Sequence, residues 1–194
     1  MSHIVLASSS RYRQQLLEKL GLTFVAASPD IDEQPHTGES PNSIAQRLSE
    51  TKARALKERF PNHLIIGSDQ VAELNGIPIG KPGNHQRACQ QLQAASGNTL
   101  HFHTGVALFN SATATMQYAS SCYEVKFRQL TQPQIDAYLR KEAPYDCAGS
   151  FKSEGLGIAL FEYIRGDDPN SLIGLPLIQL THLLLNEGID VLRQ

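Results

Sequence analysis

Ile4-Val5-Leu6-Ala7-Ser8-Ser9-Ser10-Arg11-Tyr12-Arg13 decides how this chain is read. Four consecutive apolar residues are too few for an ordinary helix and suit a short buried strand. Three serines follow, and then Leu16, Leu17 and Leu20 recur at helical spacing, with Gly21 closing the run. The stretch is therefore a strand, a polar turn and a helix N-terminus. Free N–H groups and the positive end of the helix dipole attract anions at such a turn. Ser8 and Ser10 offer hydroxyls, and Arg13 offers a planar fork suited to phosphate. The plainer alternative is that Ser10 only caps the helix and both arginines face solvent. A Walker loop is excluded, because its glycines and its Gly-Lys-Ser/Thr ending are absent.

Working outward, Phe24-Val25-Ala26 reads as a second short strand, and polar Asp30 to Gly38, holding Pro35, as a loop. Ser40-Pro41 starts a helix with a capping hydroxyl and a first-turn proline. Its apolar stripe is Ile44, Ala45, Leu48, Ala55 and Leu56. His63 to Gly67 is a strand that Val71 to Leu74 continues as a hairpin arm before Asn75-Gly76. Arg87 to Ala95 is a helix, and Leu100–Phe109 and Tyr118–Phe127 are the two strands of a long hairpin. Thr131 caps a helix bearing Ile135, Tyr138 and Leu139. A loop rich in Gly and Ser runs to Gly157, Ile158 to Ile164 is a strand, and Leu175-Pro176 opens a last helix. Strands and helices alternate around a central hairpin, which predicts an α/β fold with a mixed sheet.

The chain has 194 residues, enough for one large domain or two small lobes. Its 41% hydrophobic and 19% charged residues are ordinary for a globular protein. A net charge of −2 gives no global basic field for a nucleic acid polymer, and there is no polybasic run for a membrane surface. No apolar run approaches the ~18 residues that span a bilayer. Cys89, Cys122 and Cys147 form no CxxC pair and no zinc spacing, and such sparing use of thiols points to a reducing, cytoplasmic setting. Cys122 and Cys147 read as small core fillers.

Further polar clusters end or interrupt the apolar stretches. Gly67-Ser68-Asp69-Gln70 places a carboxylate where a strand is otherwise apolar. Such a group either binds a metal, takes a proton from water, or merely caps a turn. Lys81 stands between Gly80 and Pro82, rigidly enough to meet a phosphate or simply to mark a surface turn. Asp32 and Glu33 offer loop oxygens for magnesium. Lys52 lies within a helix as a phosphate ligand or a solvated side chain. Lys152-Ser153-Glu154-Gly155 closes the set.

In this order, these motifs resemble the Maf-like family of nucleotide pyrophosphatases nearly end to end. The match includes Ala7-Ser8-Ser9-Ser10 with Arg13, Asp32-Glu33, the Lys52 helix, Gly67-Ser68-Asp69, Gly80-Lys81-Pro82, Gly149 to Gly155 and Gly174-Leu175-Pro176. Arg11 departs from the family, where proline is frequent. The resemblance implies a single domain over 1–194: a mixed, strongly twisted sheet flanked by helices, with two lobes around a cleft, as in inosine triphosphatases. It implies hydrolysis of a nucleoside triphosphate to the monophosphate and pyrophosphate. Asp69 would be the proton acceptor and, with Glu33, a ligand of a divalent metal, Mg²⁺ or Mn²⁺. Ser8, Ser10, Arg13, Lys52 and Lys81 would hold phosphates, and Tyr12, Gln70 and Glu154 would set base preference. The Lys-Ser-Glu-Gly loop looks like the branch acting on 7-methyl-GTP, whereas glutamine usually replaces Glu154 in the branch acting on dTTP and UTP. A homodimer is implied as well. The rival readings are pyrimidine triphosphate hydrolysis and a nucleotide-binding regulator of cell division with little turnover.

Overall fold

The computed structural model describes residues 3–193. The elements run β1 (His3–Ala7), α1 (Arg11–Glu18), β2 (Phe24–Ala27), α2 (Pro41–Ala55), β3 (His63–Leu74), β4 (Ile77–Ile79), α3 (His85–Ala95), β5 (Thr99–Asn110), β6 (Thr115–Phe127), α4 (Gln132–Glu142), β7 (Phe161–Arg165), α5 (Pro169–Ile173) and α6 (Leu177–Asn186). The strands form one seven-stranded sheet in the order β2-β1-β3-β5-β6-β7, with β4 paired to β3. β1 is parallel to both β2 and β3, while β3–β4 and β6–β7 are antiparallel. The sheet is mixed, as the alternation of elements predicts.

The chain gathers into two compact units. One takes the chain up to Gln70, Thr104–Ser121 and everything from Asp168 onward; the other takes Val71–His103 and Cys122–Asp167. β3, β5 and β6 each contribute residues to both. Among the described residues, no helix is long and apolar enough to cross a membrane.

The first unit is organised by strand alternation. Ile4 and Leu6 of β1, Leu64 and Ile66 of β3, and Val106 and Leu108 of β5 join Leu16, Leu17, Leu180 and Leu184 in one core cluster. Val5, Ala7, Ile65, Ala107 and Phe109 point the other way and join Ala53 and Leu56 in a second. Both faces of these strands are covered here, which is why Ile4–Ala7, Leu64–Ile66 and Val106–Phe109 read as short apolar runs. Each fully buried Leu or Ile stabilises this arrangement by about 1.5–3 kcal/mol relative to exposure.

The second unit is built on aromatic rings. Phe102, Phe127, Phe151 and Phe161 meet edge to face, with Phe151 5.3, 5.6 and 4.9 Å from the other three centroids. α3 and α4 pack against each other beside this cluster. Caps fix the helix starts: Asn84 accepts from Arg87 N–H, and Thr131 and Gln134 form a reciprocal capping box.

Three expectations need correction. Leu156–Leu160 is a 3₁₀ helix, and the strand expected from Ile158 begins only at Phe161. A Cβ on Gly157 would overlap the Lys152 carbonyl, so the backbone is still turning tightly there. α5 was not anticipated; its five residues are too short for any apolar periodicity, and Asp168 fixes its start by accepting from Asn170 N–H. Cys122 is exposed and Cys147 only half-buried, so neither fills a core.

Candidate active site

Asp69 lies where β3 has outrun its parallel neighbour. The β1–β3 register ends at Leu6 opposite Ile66, and Ser8 follows directly after β1. Carboxyl ends of parallel strands are a usual place for ligand sites in open α/β sheets. Beyond the register, the Asp69 N–H donates instead to Ser49 Oγ of α2, at 2.9 Å. Ser49 in turn donates to the Ala45 carbonyl at 2.6 Å.

This contact depends on two glycines. A Cβ on Gly67 would overlap the Ser49 carbonyl, and one on Gly105 would press on Ser49 Oγ and the Ala45 carbonyl. Without side chains at both positions, α2 lies directly on β3 and β5. One turn further along α2, Lys52 is thereby brought onto Asp69.

Lys52 Nζ is 2.6 Å from Asp69 Oδ1 and 3.0 Å from Glu33 Oε1. Lys52 is 5% exposed and Asp69 7%, whereas the Glu33 side chain is 58% exposed. Arg13 belongs to the same electrostatic group. Burial lowers the pKa of its guanidinium, and the charges of Asp69 and Glu33 oppose that shift. Two cations and two carboxylates therefore form a locally neutral set. Lys52, expected as a phosphate ligand or a solvated side chain, stands between carboxylates here.

The loop bearing Glu33 is strapped to α2. Arg47 donates from Nε to Glu39 Oε1 at 2.6 Å and from Nη2 to Glu39 Oε2 at 2.7 Å. Nη2 also reaches the Gln34 carbonyl at 3.1 Å, one residue from Glu33. The bond to Arg47 comes first, and that to the His36 N–H second, in depressing the Glu39 pKa to about 2.

The serine turn is closed on itself. Ser10 N–H donates to Ser8 Oγ at 3.1 Å, and Arg13 N–H donates to Ser10 Oγ at 3.4 Å. Both serines are used as acceptors, which leaves their hydroxyl protons available for an anion. Arg13 Nε donates to the Gly174 carbonyl at 2.7 Å, and Ser68 Oγ lies 3.0 Å from the same oxygen. Tyr12 is half-buried in the first turn of α1.

Gln70 is tied inward. Its Nε2 lies 3.0 Å from Thr104 Oγ1, 2.9 Å from the Ser171 carbonyl and 3.0 Å from the Leu172 carbonyl. Three acceptors around one atom identify it as the amide nitrogen. Its two protons are committed to holding α5, so only Oε1 remains to meet a base.

In the second unit, Lys81 is exposed on the connection from β4 to α3. Its neighbours are fixed: Gln91 Nε2 donates to the Gly80 carbonyl at 3.0 Å, and Gly83 N–H donates to the Tyr145 carbonyl at 3.0 Å. Glu154 is exposed, with the Ser153 hydroxyl donating to it at 3.4 Å. Other groups hold its loop. Phe151 anchors one end, Lys152 N–H donates to the Tyr138 hydroxyl at 3.1 Å, and Leu156 N–H donates to Glu142 at 2.8 Å. Tyr138 and Glu142 thus do the fastening that would otherwise be the plainest role for Glu154.

The structure brings Arg13, Lys52, Asp69 and Glu33 together in the first unit; Lys81 and Glu154 lie in the second. Sequence reasoning missed Ser49, Arg47 and Glu39, which place the group. It also missed Asp168, whose buried carboxylate joins the starts of α5 and α6 through Asn170 N–H and Ile178 N–H.

Comparison with known proteins defines the class. The Maf-like protein family model matches residues 3–187, and the chain belongs to that family. Among curated relatives, the 7-methyl-GTP pyrophosphatase of Nitrosococcus oceani is 55% identical over 189 residues, covering 97% of this chain and 95% of the relative. A solved structure of the Staphylococcus aureus Ham1 protein aligns with a TM-score of 0.46 at 16% identity, over 65% of this chain and 72% of that one.

Proposed function

We propose that this chain is a nucleoside triphosphate pyrophosphatase that hydrolyses 7-methyl-GTP to 7-methyl-GMP and pyrophosphate. The buried Lys52–Asp69 pair carries the choice of an enzyme over a binding module. A carboxylate held beside cations is of little use for gripping phosphate, but it can orient and deprotonate a water. The choice of substrate follows the 55% identical relative.

The residues divide the work by chemistry. Lys52 fixes Asp69 through Oδ1, which leaves Oδ2 to face a water. Asp69 accepts the water's proton as its oxygen attacks the α-phosphorus, and pyrophosphate leaves. Arg13, Lys81 and the hydroxyls of Ser8 and Ser10 neutralise and orient phosphate oxygens, so most of the rate comes from positioning and charge stabilisation. Tyr12, Gln70 and Glu154 read the base.

The donor set fits a divalent metal. Asp69 and Glu33 converge on one cation, Lys52, and both are hard oxygen donors of the kind Mg²⁺ or Mn²⁺ takes. The neutral balance of Arg13, Lys52, Asp69 and Glu33 also leaves a triphosphate short of compensating charge. A bound Mg²⁺ would supply Lewis-acid stabilisation of phosphate oxygens. A homodimer and cytoplasmic residence belong to the same reading.

A panel of 7-methyl-GTP, GTP, dTTP and UTP, scored for pyrophosphate with and without Mg²⁺, tests it. Preference for 7-methyl-GTP supports the reading. Preference for dTTP or UTP moves the enzyme to the pyrimidine branch, and binding without pyrophosphate release from any nucleotide makes it a regulator.

A further inference from the structure

The second unit holds three ligand-bearing side chains that the reaction above does not use. His85 and Cys89 are four residues apart on α3 and so share one face. Asp136 comes from α4, which packs against α3. One ligand atom from each residue falls within 4.8 Å of the others. Cys89 Sγ is 3.6 Å from Asp136 Oδ1. With Zn–S of ~2.3 Å and Zn–O of ~2.0–2.2 Å, the S···O edge of a tetrahedral site is about 3.5 Å. These two atoms therefore already stand at the spacing that a tetrahedral ion requires.

Outer contacts orient the other groups. His85 Nδ1 lies 3.0 Å from the Tyr145 hydroxyl, and its ring meets that of Tyr145 edge-on at 77°. That leaves Nε2 as the nitrogen for a metal. Gln132 Nε2 donates to Asp136 Oδ1 at 2.8 Å. Second contacts of this kind on a histidine and a carboxylate hold metal ligands in orientation. His85 is exposed, while Cys89 and Asp136 are half-buried, so an ion has a route in from solvent and a face left for water.

We propose that His85, Cys89 and Asp136 form a three-ligand site for a zinc-class transition-metal ion, with water in the fourth position, clasping α3 to α4. On binding, the Cys89 S–H proton leaves to solvent and a metal–thiolate bond forms; no redox change occurs. The soft thiolate selects zinc or a similar ion over Mg²⁺ or Ca²⁺. The site is independent of the hard carboxylate pair Asp69–Glu33, which has no thiol.

The test is a Co²⁺ titration of the full chain after treatment with a chelator, followed by Zn²⁺. One equivalent of Co²⁺ should produce a thiolate-to-cobalt charge-transfer band, and Zn²⁺ should abolish it. The band should vanish in Cys89→Ser and persist in Cys122→Ser, Cys147→Ser and Asp69→Asn. In Asp136→Asn and His85→Ala, Co²⁺ affinity should fall by at least the roughly 10–100-fold typical of losing even an outer contact. No band at one equivalent, or a band that survives Cys89→Ser, overturns the proposal. So does unchanged Co²⁺ affinity in Asp136→Asn, a variant that keeps the side chain's shape.

Discussion

Lys52 Nζ and Asp69 Oδ1 are 2.6 Å apart, with 7% and 10% of their side chains exposed. Such a pair contributes little net stability as a pair, yet removing one member leaves the other charged and buried. Lys52→Met should therefore cost about 3–5 kcal/mol in denaturant unfolding. Lys52→Met combined with Asp69→Leu should recover most of that loss, because two apolar side chains replace two charges. Both variants should be inactive. A double variant no more stable than the single one would show that the pair is not the source of the cost.

Asp69→Asn separates chemistry from folding. The amide keeps an oxygen for Lys52 and leaves the backbone bond to Ser49 untouched. Pyrophosphate release should fall at least about 100-fold, the low end of what a general base contributes. Circular dichroism should stay close to wild type, while the unfolding midpoint falls, because buried Lys52 keeps only the more exposed Glu33 as a counter-charge. Retention of more than about a tenth of the turnover would remove Asp69 from the role of base, since even the smallest general-base effect is larger.

The strap between Arg47 and Glu39 has a pH signature. The carboxyl of Glu39 is held at about 2, below its ordinary 4.5, so its contribution to stability is complete above 4.5 and is lost as pH falls through 2. The difference in melting temperature between wild type and Glu39→Gln should therefore be constant above pH 4.5 and shrink on acidification toward 2. Arg47→Ala, which also frees the Gln34 carbonyl beside Glu33, should raise the Mg²⁺ concentration needed for half-maximal activity. An unchanged Mg²⁺ requirement would uncouple this loop from metal binding.

Much of the first unit was legible because β1 and the stretches Leu64–Ile66 of β3 and Val106–Phe109 of β5 are buried on both faces and appear as short apolar runs. Of the candidate site, only residue types could be read: a serine turn after β1, an arginine in α1, a lysine in α2 and a carboxylate within β3. What could not be read was how those residues are held. The donation from Asp69 N–H to Ser49 depends on α2 approaching β3 at Gly67, and nothing in either segment alone announces that approach. The strap from Arg47 crosses a loop to Glu39, outside any helical or strand period. The inward ties of Gln70 end on carbonyls of α5, a helix of five residues with no pattern of its own. His85 and Cys89 carry a helical spacing, but Asp136 joins them only through the packing of α3 on α4.

The last prediction concerns base choice. Guanine presents two adjacent donors, N1–H and the N2 amino group, and one carboxylate can accept both. Uracil and thymine present a single N3–H between two carbonyls, so a carboxylate there opposes lone pair to lone pair, whereas a glutamine amide can pair a donor with an acceptor. N7 methylation leaves positive charge on the purine, which favours a carboxylate and an aromatic face such as Tyr12. Glu154 is exposed and its loop is fastened by Tyr138 and Glu142, so exchanging it should leave the loop in place. Glu154→Gln should therefore keep wild-type stability while narrowing or inverting the preference for 7-methyl-GTP over dTTP and UTP, read as a ratio of kcat/KM values. Glu142→Ala, by contrast, which removes the acceptor of Leu156 N–H, should loosen the loop and lower turnover on all nucleotides alike. An unchanged ratio in Glu154→Gln would take base reading away from this residue, and equal behaviour of the two variants would assign Glu154 to the loop's structure.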